Sequence, residues 1–130
     1  MNYEIPALIH RDVTTRCRFE LIVDEALENL PPWILERVDN LQVVVEKWPS
    51  TEQDPEGLGI LGIYEGVSLP NRSSSYFGAI PDRITIFSGP HLKLGLNGAS
   101  LKKAIHRTIL HEIAHHFGID DDRLSELGYS

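Results

Sequence analysis

The chain has 130 residues, 42% of them hydrophobic and 24% charged, with a net charge of −7. That length can bury a real core, and the composition is that of a folded globular protein, not of a disordered or fibrous one. The acidic balance and the lack of a Lys/Arg run argue against unaided binding to nucleic acid or to an anionic membrane. One cysteine, Cys17, excludes an internal disulfide and points to a reducing compartment. The stretch MNYEIPALIHRDVTTR has neither a continuous apolar core nor a small-residue cleavage site, and no apolar run reaches the roughly 18–20 residues of a membrane span. A single cytoplasmic domain over residues 1–130 is expected, with residues 1–13 as a flexible arm.

In chain order, the first periodic signal covers residues 15–30. Phe19, Ile22, Val23, Ala26, Leu27 and Leu30 recur at helical spacing, with Thr14 or Thr15 as N-cap and Pro31-Pro32 as the stop. A short helical turn is expected around Trp33–Val38. Leu41–Trp48 is short and β-branched, hence a strand, and Gly59–Val67 and Ile84–Phe87 read as two more. The segments between them, 49–58 and 68–82, are rich in Pro, Ser, Asn and Gly and read as surface loops.

The last helix is expected over residues 100–117, with Asn97 or Ser100 as cap. Leu101, Ile105, Ile109, Ile113 and Phe117 form its core stripe. His111 and His115 lie roughly opposite, beside Ala104 and Thr108, while Lys102, Lys103, His106 and Arg107 fill a solvated sector. The fold class expected is α+β: a small mixed sheet of three to four strands packed with an N-terminal helix and a C-terminal active-site helix.

That helix carries the chemistry. His111-Glu112-Ile113-Ala114-His115 is HExxH, with Gly118 and Asp121 following. Histidines four apart on a helix point the same way and can share one zinc ion, and a glutamate beside the first can handle the proton of a zinc-bound water. Two neutral imidazoles and one carboxylate leave such a site positively charged, which lowers the pKa of bound water. Gly118 suits a left-handed residue that ends the helix and returns the chain to the metal.

Asp120, Asp121 and Asp122 are consecutive, so spacing alone leaves each open as third ligand, with Glu126 as a further carboxylate. His116 projects towards the isoleucine stripe and reads as a core or outer-sphere histidine. His10, His91 and His106 lack partner spacing and read as surface histidines. Arg83, His91 and Tyr129 are candidate donors to a developing oxyanion, with nothing in their spacing to choose among them.

Together these segments resemble a family of minimal zincin-like metallopeptidases with HExxHxxGxxD near the C-terminus. RFELIVDEALENLPPW, LQVVVEKWP, GILGIYEGVSLP, PDRITIFSGP and RTILHEIAHHFGIDDDRL carry the resemblance in order, over residues 15–127. It implies a compact α+β zincin core, zinc on His111, His115 and Asp121, Glu112 as base, and substrates unassigned. A more distant likeness is to metzincins, but Met1 is the only methionine, so their methionine-containing turn has no counterpart here. Only nine residues follow Asp121, which leads to the expectation of a shallow groove with weak side-chain selectivity.

The function expected is zinc-dependent hydrolysis of peptide bonds in a peptide or protein substrate bound along an edge strand, either Ile84–Phe87 or the adjoining Ser88–Leu96. Two alternatives stand beside it. One is a metal-binding interaction module with little catalysis, and the other is a zinc hydrolase of a non-peptide amide or ester. Oligomeric state is not legible.

Overall fold

The apolar periodicity between Phe19 and Leu27 forms helix α1 (Arg18–Glu28) of this computed structural model, which describes residues 9–11, 18–78 and 80–127. The helix stops short of Leu30 because a residue preceding proline is driven out of the α region. Thr14 and Thr15 lie outside the described residues. Pro32 then occupies the first turn of helix α2 (Pro32–Arg37), where its missing N–H costs nothing.

Four strands form one mixed sheet: β1 (Ile9–Arg11), β2 (Leu41–Glu46), β3 (Gly62–Glu65) and β4 (Asp82–Phe87), in the order β1-β2-β4-β3. β1 and β4 run parallel to β2, and β3 is antiparallel to β4. Two expectations change here. The segment read as part of an N-terminal arm supplies a strand; its three residues are too few to show alternation, and its partner lies some thirty residues away. β4 is an interior strand, paired through Ile84 to Val43 on one side and to Tyr64 on the other, so it offers no edge. The free edge among the described strands on that side is β3.

Ser88–Leu96 is likewise no edge strand. Ser88–Lys93 forms helix α3, with a buried Pro90 and His91. The long helix is α4 (Gly98–His116), and a further short helix, α5 (Asp121–Glu126), follows the turn at Gly118. Ile105, Ile109 and Ile113 of α4 enter one core with Val23 and Leu27 of α1 and with Leu41, Val43, Ile84 and Ile86 of the sheet. Each such side chain contributes about 1.5–3 kcal/mol on full burial, so this interface fixes how α4 lies on the sheet. Leu101 and Phe117, the ends of the expected stripe, are only partly buried. No helix among the described residues is long and apolar enough to cross a membrane.

Candidate metal centre

The packing of Ile105, Ile109 and Ile113 against the core turns His111 and His115 outward on the last two turns of α4. The chain then reverses. Phe117 keeps helical φ/ψ, Gly118 takes φ +88°, the Gly118 N–H donates to the His115 carbonyl at 2.9 Å and the Ile119 N–H to the Ala114 carbonyl at 3.0 Å. These two bonds are the double closure of a Schellman end. Glycine is required here twice over, by the positive φ and by Pro70 Cγ, 2.6 Å from where a Cβ would stand.

This reversal returns Asp121 to the histidines. Its Oδ1 lies 3.2 Å from His111 Nε2 and 3.1 Å from His115 Nε2, and the three ligand atoms fall within 4.8 Å of one another. Asp120 has another role, since its side chain caps α5 by accepting from the Arg123 N–H at 2.8 Å. Glu126 pairs with Arg123 on α5, and Asp122 is exposed outside the cluster. Of the carboxylates that spacing left open, Asp121 alone joins the two imidazoles among the described residues.

The hydrogen bonding of His115 bears on whether a cation fits. Its Nδ1 lies 2.8 Å from the Ile119 carbonyl, an acceptor only, so Nδ1 carries the proton. In the neutral ring, Nε2 then presents a lone pair to the Asp121 oxygen. Two lone pairs at that distance repel unless a cation lies between them or the ring gains a second proton. Two imidazole nitrogens and one carboxylate oxygen are also the donor set of a catalytic zinc site with one open position. The backbone carbonyl behind His115 supplies the outer-sphere support that fixes ring orientation in such sites.

Glu112 sits on the flank of α4 facing β3. It is 7% exposed, and a Cβ at Gly62 would stand 3.4 Å from its Cγ and 2.8 Å from Thr108 Cγ2, so glycine at this point of β3 lets strand and helix approach. Burial raises the proton affinity of Glu112 above the usual carboxylate value; His111 and His115 oppose the shift and Asp121 adds to it.

Behind the site lies a polar network that no sequence spacing predicts. His116, expected as a core or outer-sphere histidine, is fully buried; its Nδ1 donates to Asp82 Oδ2 at 3.0 Å and its Nε2 accepts from the Asp39 N–H at 3.2 Å. Those partners fix a neutral ring, in accord with burial lowering its pKa against the opposing pull of Asp82. Asp82 also accepts from the Tyr64 hydroxyl, the Val67 N–H at 3.1 Å and Arg72 Nη2 at 2.9 Å. Burial pushes its carboxyl up, but Tyr64, Val67 and Arg72 together hold it below the usual value. The network ties the loop after β3 to the end of α4.

The remaining expected residues fall elsewhere. His91 is not a surface histidine: it is fully buried, with Nδ1 2.7 Å from the Phe87 carbonyl and Nε2 2.9 Å from Thr108 Oγ1, so it staples α3 to α4 and has no free N–H for an oxyanion. Arg83 is exposed on β4 between Gln42 and Glu65 and lines neither cavity beside His115 and Ala114. His106 is partly buried on the charged sector of α4. The side chain of His10 and all of Tyr129 lie outside the described residues.

A profile of the family described as zincin-like metallopeptidase matches residues 38–129. The solved structure of a conserved hypothetical protein from Thermus thermophilus is similar in fold, with a TM-score of 0.55 and 23% identity, over 86% of this chain and 96% of that one. No curated protein matches the chain. The profile spans more than two thirds of the sequence and includes β2 to β4, the Gly118 turn and the His-His-Asp cluster, and on that footing the chain belongs to the zincin-like metallopeptidase family.

Proposed function

We propose that the protein is a zinc-dependent peptidase in which His111, His115 and Asp121 hold the metal and Glu112 is the general base. One observation carries this reading: both Nε2 atoms and a carboxylate oxygen converge within 4.8 Å, next to a glutamate shielded from water. A bound zinc ion supplies Lewis acidity to a water molecule and to the substrate carbonyl. Glu112 receives the proton of the attacking water on its carboxylate and returns it to the leaving amine. Its raised proton affinity suits a group that must hold that proton between the two transfers.

The substrate is a peptide or an extended protein segment. Its backbone pairs with the free edge of β3, which replaces the Ile84–Phe87 edge expected from sequence. Gly62, against Glu112, brings that edge next to the base. The lone cysteine keeps the cytoplasm as the proposed compartment. A pure interaction module leaves a buried, proton-hungry Glu112 without a purpose, and a structural zinc usually has four closed protein ligands.

Elemental analysis and a mixed peptide library read by mass spectrometry test the proposal. One zinc per chain and cleavage are expected, with Glu112→Gln retaining zinc while losing about 10²–10⁴-fold in rate. Undiminished cleavage by a zinc-loaded Glu112→Gln protein would rule the mechanism out.

A further inference from the structure

Helices α1 and α4 share the core through Val23, Leu27, Ile105 and Ile109, and beside that seam they leave an open groove of 680 Å³. Ile22, Glu25, Ala26 and Asn29 line it from α1, at the i, i+3, i+4, i+7 spacing of one helical face. Its α4 wall spans Lys102 to Leu110, so both walls run for about two helical turns, roughly 10–12 Å. Ile22, Ala26 and Leu110 give the groove an apolar floor. The rim is charged. Lys102, Lys103 and Arg107, all exposed, stand against Glu25, the one carboxylate among the lining residues. The groove is thus net positive in a chain whose net charge is −7. An ion pair crosses it from Lys102 Nζ to Glu25 Oε2 at 3.7 Å, between side chains that are 55% and 57% exposed. A pair so exposed contributes little, and a partner's carboxylate can take the place of Glu25.

We propose that this groove docks an acidic amphipathic helix of a partner protein, with its apolar face on the floor and its Asp and Glu side chains on the basic rim. Charge complementarity sets the sign of the partner. The floor sets its amphipathic character, since an apolar anchor there removes surface from water. A helix is favoured over a strand by the walls themselves. Both are helices whose backbone groups are bonded internally, so an extended peptide finds no sheet edge to pair with. A helix satisfies its own backbone and needs only side-chain anchors at i, i+3, i+4 and i+7. Ala26 and Ala104, small residues in the lining, let it approach closely. A polynucleotide fits less well: no Phe, Tyr or Trp lines the groove to stack a base, and the acidic remainder of the chain repels a phosphate backbone. A second copy of this chain brings its own net charge of −7, and the two copies repel. The sector of α4 that reads from sequence as solvated is therefore a recognition surface, set ahead of His111 and His115 on the same helix. This docking does not depend on the peptidase reading.

Fluorescence anisotropy on the full-length protein tests it, with Glu112→Gln as background so that no probe is cut. The probe is a labelled synthetic helix of about 16 residues, with leucines at i, i+3, i+4 and i+7 and glutamates flanking them. Two controls exchange the glutamates for lysines or the leucines for serines. The acidic probe is expected to bind about 10-fold or more tightly than either control at about 0.1 M salt, and to weaken at about 1 M. Lys103→Glu combined with Arg107→Glu should lower its affinity about 10-fold or more while raising that of the lysine peptide, a reciprocal change that a misfolded protein does not give. Lys93→Glu, which reverses a cation outside the groove, should leave both affinities within about 2-fold. Methyl resonances of Ile22 and Leu110 should shift with the acidic probe. Equal binding of the three peptides, or a loss in the double variant with no gain for the lysine peptide, overturns the proposal. Displacement of the acidic probe by an equal concentration of a single-stranded oligonucleotide also overturns it. So does self-association that the double variant abolishes, which assigns the groove to a second copy.

Discussion

At Gly118 a positive φ and the nearness of Pro70 act on the same atom, the Cβ that glycine lacks. Gly118→Ala should therefore cost more than the ~1 kcal/mol scale of compatible glycine substitutions, because a mismatched φ reverses their sign and Pro70 must also move. Urea denaturation of the metal-free protein measures that loss, and a zinc titration should show weaker binding as Asp121 is displaced. Asp121 behaves in the opposite way. Its side chain is 79% exposed, so Asp121→Asn should leave the metal-free fold within about 0.5 kcal/mol of the parent. Zinc affinity should fall beyond the roughly 10–100-fold typical of outer-sphere losses. Asp120→Ala should show the reverse balance, costing about 1 kcal/mol through the lost cap with a smaller effect on zinc. The sequence offered three adjacent aspartates with no means of ranking them by spacing. A cap signature was nevertheless present, an aspartate followed by two acidic residues in a first helical turn, and read in that way it assigns Asp120 to the helix and frees Asp121.

Among the elements, α1 and α4 were legible because eleven and nineteen residues hold three or more helical periods. α3 and α5, with six residues each, hold fewer than two, and β1 is shorter still. Strand identity was legible from β-branching, but strand order was not. Which of β3 and β4 forms the edge depends on pairings between segments twenty to forty residues apart, and that decides where a substrate can dock. The α3–α4 contact carries a pH prediction. Burial lowers the pKa of His91 below 6.5, against the pull of the Phe87 and Ala104 carbonyls. The unfolded chain therefore takes up its proton first as pH falls. The stability this contributes is fully present above 6.5 and declines below it, by up to about 1.4 kcal/mol per pH unit for one such group. Urea midpoints of the metal-free protein at pH near 7.5 and near 5.5 should show that decline. His91→Gln should be less stable at both values with a shallower fall; a slope identical to the parent's would contradict the assignment.

For the molecule as a whole, the proposed ligand histidines project from a helix whose opposite face is locked into the core, so the proposed metal binding needs no rearrangement of the fold. Zinc at 100 times its dissociation constant should then stabilise the folded chain by as much as about 2.7 kcal/mol, and chelator should remove that increment. His115→Ala should abolish it. The resemblance in the sequence conveyed the family and its motif, and single-residue chemistry pointed to the His111, His115 and Asp121 cluster. The groove between α1 and α4 was illegible, because its walls come from two helices whose meeting depends on the completed tertiary structure.

All three proposed metal ligands fall between residues 111 and 121, whereas the cover over Glu112 comes from Gly62, fifty positions earlier. Capture of the ion is thus a local event in the chain, and assembly of a working base is a distant one. A segment able to collect zinc before the sheet has formed gives the unfolded ensemble its own affinity for the metal. The stabilisation observed on adding zinc will then fall short of the full linkage value, and the shortfall measures how much of the centre survives without the fold. Metal content alone is therefore a poor gauge of catalytic readiness, which also requires Gly62 of β3 to lie against Glu112.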